Sequence, residues 1–208
     1  MKATHILSGI LLGAAMLCLP SCLGDDNEDD GQKDLTESQR KMYLTAIDGN
    51  YKGKAYFINN ENKLDSIDMA WSVNGHDSTA VVYEFPVELL AEYLHEGISA
   101  RDWLLAGKKR DVHFSIHPAF TSTEDIANKE YAYYFIPDNF VLKYKEGNIE
   151  YTLGFGNYLK IDNIVYSPVC AYSENKQRFS GNIIVNSISS GVMPYGLDAI
   201  FWLSGKKQ

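Results

Sequence analysis

Several residue patterns that would announce a function are missing from this 208-residue chain. Its three cysteines, Cys18, Cys22 and Cys170, are too few for the disulfide framework of a small secreted fold. No G-x-S-x-G elbow, H-E-x-x-H helix or P-loop occurs, so the common signatures of serine hydrolases, zinc peptidases and nucleotide-binding enzymes are excluded. Gly154-Phe155-Gly156 has glycines but no helix pattern after it, which argues against a phosphate loop. No Gly/Ser linker or internal repeat divides the chain, so its body reads as one domain with a sizeable core. Only one long apolar run exists, Ile6 to Leu19, and it is too short to span a bilayer comfortably.

That run has a context. Lys2 precedes it, and Leu19-Pro20-Ser21-Cys22 closes it with a small residue just before a cysteine. A charged start, a short apolar core and a cleavage site form a secretory signal over residues 1–21. A site that ends on Cys has the bacterial lipoprotein signature, in which the thiol receives a diacylglyceryl group and becomes the new N-terminus. Cys22 is therefore the expected lipidation site and the membrane, reached through it, the expected partner. Cleavage leaves Cys170 without a partner thiol, and its place after Val169 in a strand-like run reads as a small buried hydrophobe.

Charge is unevenly spread. The chain has 19 basic and 27 acidic side chains, a net charge of −8. Asp25, Asp26, Glu28, Asp29, Asp30, Asp34 and Glu37 crowd the segment after Cys22 against Lys33 alone, which makes residues 22–37 an acidic, solvated tether. Beyond it, residues 38–208 form a nearly neutral globular body. An acidic patch directly after a lipidated Cys resembles the export signal of surface lipoproteins in the Bacteroidota, which implies an outer-membrane domain facing outward. The same patch approaches calcium-loop spacing in Asp26-x-Glu28-x-Asp30-Gly31 with Glu37 following. Its third position is the longer Glu, Lys33 stands where an apolar residue belongs, and no entering helix fits. A plain tether is the better reading.

The body alternates with period two. Ile67, Met69, Trp71 and Val73 lead to a turn at Asn74-Gly75, and Val81, Tyr83 and Phe85 follow, which predicts a hairpin. Val112, Phe114 and Ile116 predict a strand, as do Phe140, Leu142 and Tyr144; Glu146-Gly147-Asn148 then turns the chain into Ile149, Tyr151, Leu153 and Phe155. Later runs cover Asn163 to Ala171, Phe179 to Ile188 and Leu197 to Leu203. Helical spacing marks Thr36 to Ile47, Val87 to Leu94 after Pro86, and a short stretch from Ser99 through Leu104. The expectation is a mainly β, single antiparallel barrel or sandwich of about nine or ten strands, with two short helices inserted mid-chain. An α+β sheet with helices on one face stays open.

Gly49-Asn50-Tyr51-Lys52-Gly53, placed between a short helix and the first strand, resembles the G-x-W-x-G entry of lipocalin-like barrels, with Tyr51 in the aromatic position at the barrel base. In length, lipidation and strand count the chain is similar to the lipocalin-like lipoproteins of the Bacteroidota. The resemblance implies a barrel whose interior could hold a small apolar or glycan-derived ligand. Tyr51, Trp71, Tyr83, Phe114, Tyr144 and Tyr151 are the aromatic residues expected to face such an interior.

Other candidates carry less. His113 and His117 share one strand face about 13 Å apart at ~3.3 Å per residue, too far to share one metal ion. No metal site and no cofactor are expected. Lys108, Lys109 and Arg110 cluster, but three charges in an acidic chain solvate a turn rather than bind nucleic acid. Glu124 and Asp125 are neighbours on a loop, without the arrangement of a catalytic pair. In Glu130-Tyr131-Ala132-Tyr133-Tyr134, Tyr131 and Tyr133 should face one way and Tyr134 the other, where exposure of Tyr134 or Tyr158 would favour a gripping role. The expectation is a non-enzymatic binding protein of the cell envelope, or an interaction lipoprotein docking to another envelope protein.

Overall fold

The computed structural model describes residues 35–107, 109–119, 121–138, 140–143, 150–156, 159–161, 164–190 and 193–208. Residues 1–34 lie outside these, and with them the signal segment, Cys22 and nearly all of the acidic arm.

Helix α1 spans Glu37–Ile47. Thr36 starts it with a capping box: its hydroxyl accepts from the Gln39 N–H, and the Gln39 side chain accepts from the Thr36 N–H. Thr36 and Glu37, read from sequence as the end of the arm, thus belong to the folded body. Strands β1 (Gly49–Ile58), β2 (Leu64–Asn74) and β3 (Thr79–Phe85) follow as hairpins. A 3₁₀-helix, Val87–Tyr93, and helix α2, Ser99–Leu105, are the two mid-chain helices. Next come β4 (Arg110–Pro118), helix α3 (Thr123–Ala127), β5 (Glu130–Pro137), β6 (Phe140–Lys143) and β7 (Glu150–Phe155). A small hairpin, β8 (Leu159–Ile161) with β9 (Ile164–Tyr166), precedes β10 (Val169–Ser173), β11 (Arg178–Ser190) and β12 (Met193–Lys207).

Eight strands close a ring. The order β10-β5-β4-β3-β2-β1-β12-β11 returns on itself because β11 also pairs with β10. All these pairings are antiparallel, so the fold is a closed antiparallel barrel rather than a sandwich. Closure removes the sheet edges that an open sheet would expose. Twelve described strands exceed the nine or ten expected because short pieces, β6 to β9, lie outside the ring. The second half of β11 leaves β10 and pairs with β7, with a bulge between Val185 and Ser187 at the changeover.

Gly53 and Gly205 face each other across β1 and β12, where a Cβ on Gly53 would stand 2.1 Å from the Ser204 carbonyl oxygen. Glycine is required there by close approach of the backbones. Gly49 leaves α1 at a φ of +138°, a conformation L side chains rarely adopt. These are the two glycines of the Gly49-to-Gly53 entry.

Eight strands leave an interior that side chains can fill. Here a chain of rings crosses it: Phe114 stacks on Phe135 at 3.9 Å, Phe135 meets Phe179 at 5.8 Å, Phe179 meets Trp71 at 5.2 Å, and Trp71 stacks on Tyr51 at 5.8 Å. Near the other end Phe201 touches both Phe57 and Phe85. Helix α1 covers one end with Tyr43 and Ile47 fully buried; the 3₁₀-helix and α2 cover the other with Val87, Leu90, Ala91, Ala100, Trp103 and Leu104. Among the described residues, no helix is long and apolar enough to cross a membrane.

Candidate functional site

The interior aromatics divide. Tyr51, Trp71, Phe114 and Tyr151 are buried as expected, and their rings touch other rings: Tyr151, for example, stacks on Trp103 of α2 at 5.2 Å. Tyr83 is a correction. It is 39% exposed and points outward, its hydroxyl 2.6 Å from that of Ser72. The cause is a bulge: Glu84 takes a φ of +51°, its N–H donates to the Asp111 carboxylate, and the β3–β4 register shifts between Val82 and Phe85. Phe85 therefore turns inward while Tyr83 and Val81 stay on the outer face, with Ala80 and Val82 filling the core instead. The side chains of Phe140 and Leu142, along with Tyr144, Tyr158, the turn at residues 146–148 and Lys108, lie outside the described residues.

Space opens beside α1, along its exposed flank. A cleft of about 570 Å³ lies between that helix and the rim formed by β5, the β10–β11 hairpin and the end of β12. Ser38, Lys41, Met42, Thr45 and Ala46 form the helix wall; Tyr131, Tyr172, Glu174, Gln177 and Lys207 form the barrel wall. Helical spacing puts residues 38, 41, 42 and 45 on one face, opposite the buried Tyr43 and Ile47. Barrel closure gathers the other five residues on the rim beside them.

Polar bonds fasten the helix above this cleft. The Tyr133 hydroxyl donates to the Tyr43 carbonyl at 2.8 Å, and the Tyr51 hydroxyl donates to the Ile47 carbonyl. The Gly75 N–H donates to the Asp48 carboxylate at 2.8 Å. Lys207 lies across the cleft end: its ammonium donates to the Ala46 carbonyl at 3.2 Å and sits 5.5 Å above the centre of the Tyr172 ring. A cation at the last turn of α1 also suits the helix dipole.

Glu174 is engaged on both oxygens. Lys129 approaches one at 3.1 Å, and the Tyr131 hydroxyl donates to the other at 3.4 Å. Burial, and then the Glu174 charge, hold the phenols of Tyr131 and Tyr172 above their ordinary range, so both stay protonated as donors. The Tyr172 hydroxyl is buried and has no hydrogen-bond partner among the described residues. Leaving such a donor unmet costs about 1–3 kcal/mol. Tyr43 Oη and Trp71 Nε1, near the same end, are likewise unmet.

Elsewhere the predictions resolve simply. Tyr131 and Tyr133 point inward and Tyr134 outward, 45% exposed, with Ile136 beside it at 41%. His113 and His117 both lie on the outer face of β4. No cluster of three metal-ligating side chains occurs among the described residues. Lys109 pairs with Glu84 at 3.7 Å, while Asp125 donates its N–H to Ser122 at the start of α3. Cys170 is fully buried, and burial pushes its thiol well up, which makes it inert. Lys207, Tyr172 and Glu174 were not singled out from sequence, and no local pattern marks them.

Residues 46–190, more than two thirds of the chain, match the family described as Domain of unknown function (DUF4840). No curated protein and no solved structure matches the chain.

Proposed function

The chain belongs to this family, and from that premise we propose that it is a lipid-anchored binding protein of the cell envelope, not an enzyme, which holds a small ligand at the mouth of its barrel. One observation carries the reading: a cleft of about 570 Å³ runs beside α1, lined by apolar and charged side chains together. The ligand sits in this cleft, outside the stack of interior rings, and is small and apolar or glycan-derived. Cys22 supplies the anchor to the outer membrane, and the acidic arm spaces an outward-facing domain from the lipid surface. Kinship with lipocalin-like lipoproteins of the Bacteroidota is part of the same proposal. The closed eight-stranded ring, and Tyr51 bonded to the end of α1, support that kinship.

Native mass spectrometry of the mature full chain, extracted in detergent from its own membranes, tests this. A retained mass of a few hundred daltons beyond the lipidated chain is expected, and its loss in Thr45→Trp, which fills the cleft from its exposed wall, would place it. A bound mass that survives Thr45→Trp unchanged would move the ligand out of the cleft and defeat the reading.

A second reading, docking to another envelope protein, is favoured by Tyr134 and Ile136, two large exposed side chains two residues apart on the outer face of β5. A ligand-free mass accompanied by a stoichiometric protein, crosslinked through a photoreactive group at position 134, would favour it instead.

A further inference from the structure

We infer that one wall of the barrel docks the acidic arm of the same chain, residues 23–34, whatever fills the cleft. The wall carries a row of three cations. Arg178 on β11 lies opposite Lys206 on β12, and Lys206 lies opposite Lys52 on β1. All three are exposed on the outer face, while their neighbours Phe179, Gly205 and Tyr51 are buried. Residues opposed in this way stand about 5 Å apart at Cβ, within one screening length at physiological salt, and like charges so placed oppose folding. The row passes to Ser173 on one side and Ala70 on the other, so no carboxylate sits beside it in register.

Nearby on the same barrel, cations are matched. Lys54, the next outward residue after Lys52, meets Asp68 at 3.2 Å. Lys176 meets Glu130 at 3.0 Å, and Lys129 meets Glu174 at 3.1 Å. Lys52 and Lys206 meet no carboxylate among the described residues, and Arg178 donates to the Ser204 hydroxyl at 2.8 Å instead. Three adjacent cations without a counter-charge, in a chain of net charge −8, call for an anionic partner.

The chain supplies one. Residues 23–34 hold six acidic side chains against Lys33 alone. They run into the body at Leu35, which packs against the core just before α1. Ser38, in the first turn of that helix, lines the same cleft as Gln177 and Lys207, the chain neighbours of Arg178 and Lys206. The row is about 10 Å wide across its three strands, and the stretch from Asp25 to Leu35 extends to about 35 Å, so the arm reaches it with slack. Being attached, the arm acts at an effective concentration near the millimolar range, which lets individually weak surface ion pairs add up. A docked arm gives the domain less distance from a membrane, and salt restores that distance.

A spin label on Asn27→Cys of the mature full chain in detergent tests this. Cys170 is buried and inert, so every label sits on the arm. The readout is the broadening of backbone amide NMR signals. At about 20 mM salt the amides of Lys52, Arg178 and Lys206 should broaden at least about threefold more than those of Glu130 and Ala132 on β5, and at about 500 mM salt the two sets should be alike. Lys52→Gln combined with Arg178→Gln and Lys206→Gln, all on an exposed strand face, should abolish the difference at low salt. Equal broadening of the two sets at low salt overturns the inference, and so does a preference that outlasts the salt or the three substitutions. Row amides that ignore the label and shift on addition of phosphatidylglycerol bicelles overturn it in favour of an anionic lipid surface.

Discussion

The two ends of the barrel are closed by opposite means. At the far end, the 3₁₀-helix and α2 bury Val87, Leu90, Ala91, Ala100 and Leu104, and Trp103 stacks on Tyr151. Apolar burial does the closing there, with one tyrosine anchor, Tyr93, donating to the Ile58 carbonyl at 2.7 Å. At the mouth, α1 buries two large side chains, Tyr43 and Ile47, packs Leu44 and Ala46 partly against the core, and is also held by hydrogen bonds from Tyr51, Tyr133, Lys207 and Gly75. A lid fixed by dispersion must seat flush over its whole area. One fixed partly at polar points leaves its flank open, and the cleft runs along that flank.

The sharpest way to break this contrast is Trp103→Ala. Removing the ring that seals the far end should destabilise the domain by about 3–5 kcal/mol, read by urea denaturation, with no change at the mouth cleft. A loss below about 1 kcal/mol would mean the far end is not closed by burial.

Alkaline titration should separate the ends next. Burial, then the Glu92 charge, raise the Tyr93 phenol from its ordinary 10.0 to about 12. A raised folded value means that its stabilising contribution is complete below pH ~10, the unfolded value, and is lost as pH climbs through about 12. Tyr51 and Tyr133 at the mouth are pushed higher still by desolvation. Phenolate absorbance at 295 nm should show a step near pH 12 that Tyr93→Phe removes, and hydrogen exchange should show the far end loosening before α1. If α1 amides lose protection first, the assignment of strengths to the two ends is reversed.

Tyr133→Phe tests the polar fastening of α1. Losing the bond to the Tyr43 carbonyl should cost about 1–2 kcal/mol and raise exchange in α1 more than in α2. Combined with Tyr51→Phe, the loss should exceed the sum of the single effects, because the two phenols hold one element. The smallest effect belongs to Thr36→Ala, which breaks the capping box at about 0.5–1 kcal/mol and should fray only the first turn of α1. Backbone exchange at Gln39 and Arg40 would report it.

Much of this architecture was legible in the chain because it is written locally. Met69, Trp71 and Val73, like Val112, Phe114 and Ile116, keep strict period two and lie inward as read. Thr36 with Gln39, and Asp48 with Gly49, bracket α1 at both ends. Where the reading failed at Tyr83, an added residue at Glu84 reversed the phase, and nothing in Val81-Val82-Tyr83-Glu84-Phe85 distinguishes a bulged strand from a regular one. The cleft was illegible for a different reason. Lys41, Tyr131, Tyr172 and Lys207 belong to four elements and meet only once the ring has closed. No spacing along the chain encodes that meeting.

The seam between β1 and β12 has a consequence for how the protein is made. Tyr51 pairs with Lys207 and Ala55 with Leu203, so the ring is completed by partners drawn from opposite ends of the domain. Such pairings carry a high contact order: the entropy of the largest loop in the molecule must be lost before the seam returns any energy. A growing chain that has made β1, β2 and β3 holds a hairpin stack with two raw edges and a half-covered row of aromatic rings. It cannot reach its resting shape until β12 has emerged. Folding is therefore expected to be slow and to follow synthesis of the whole domain.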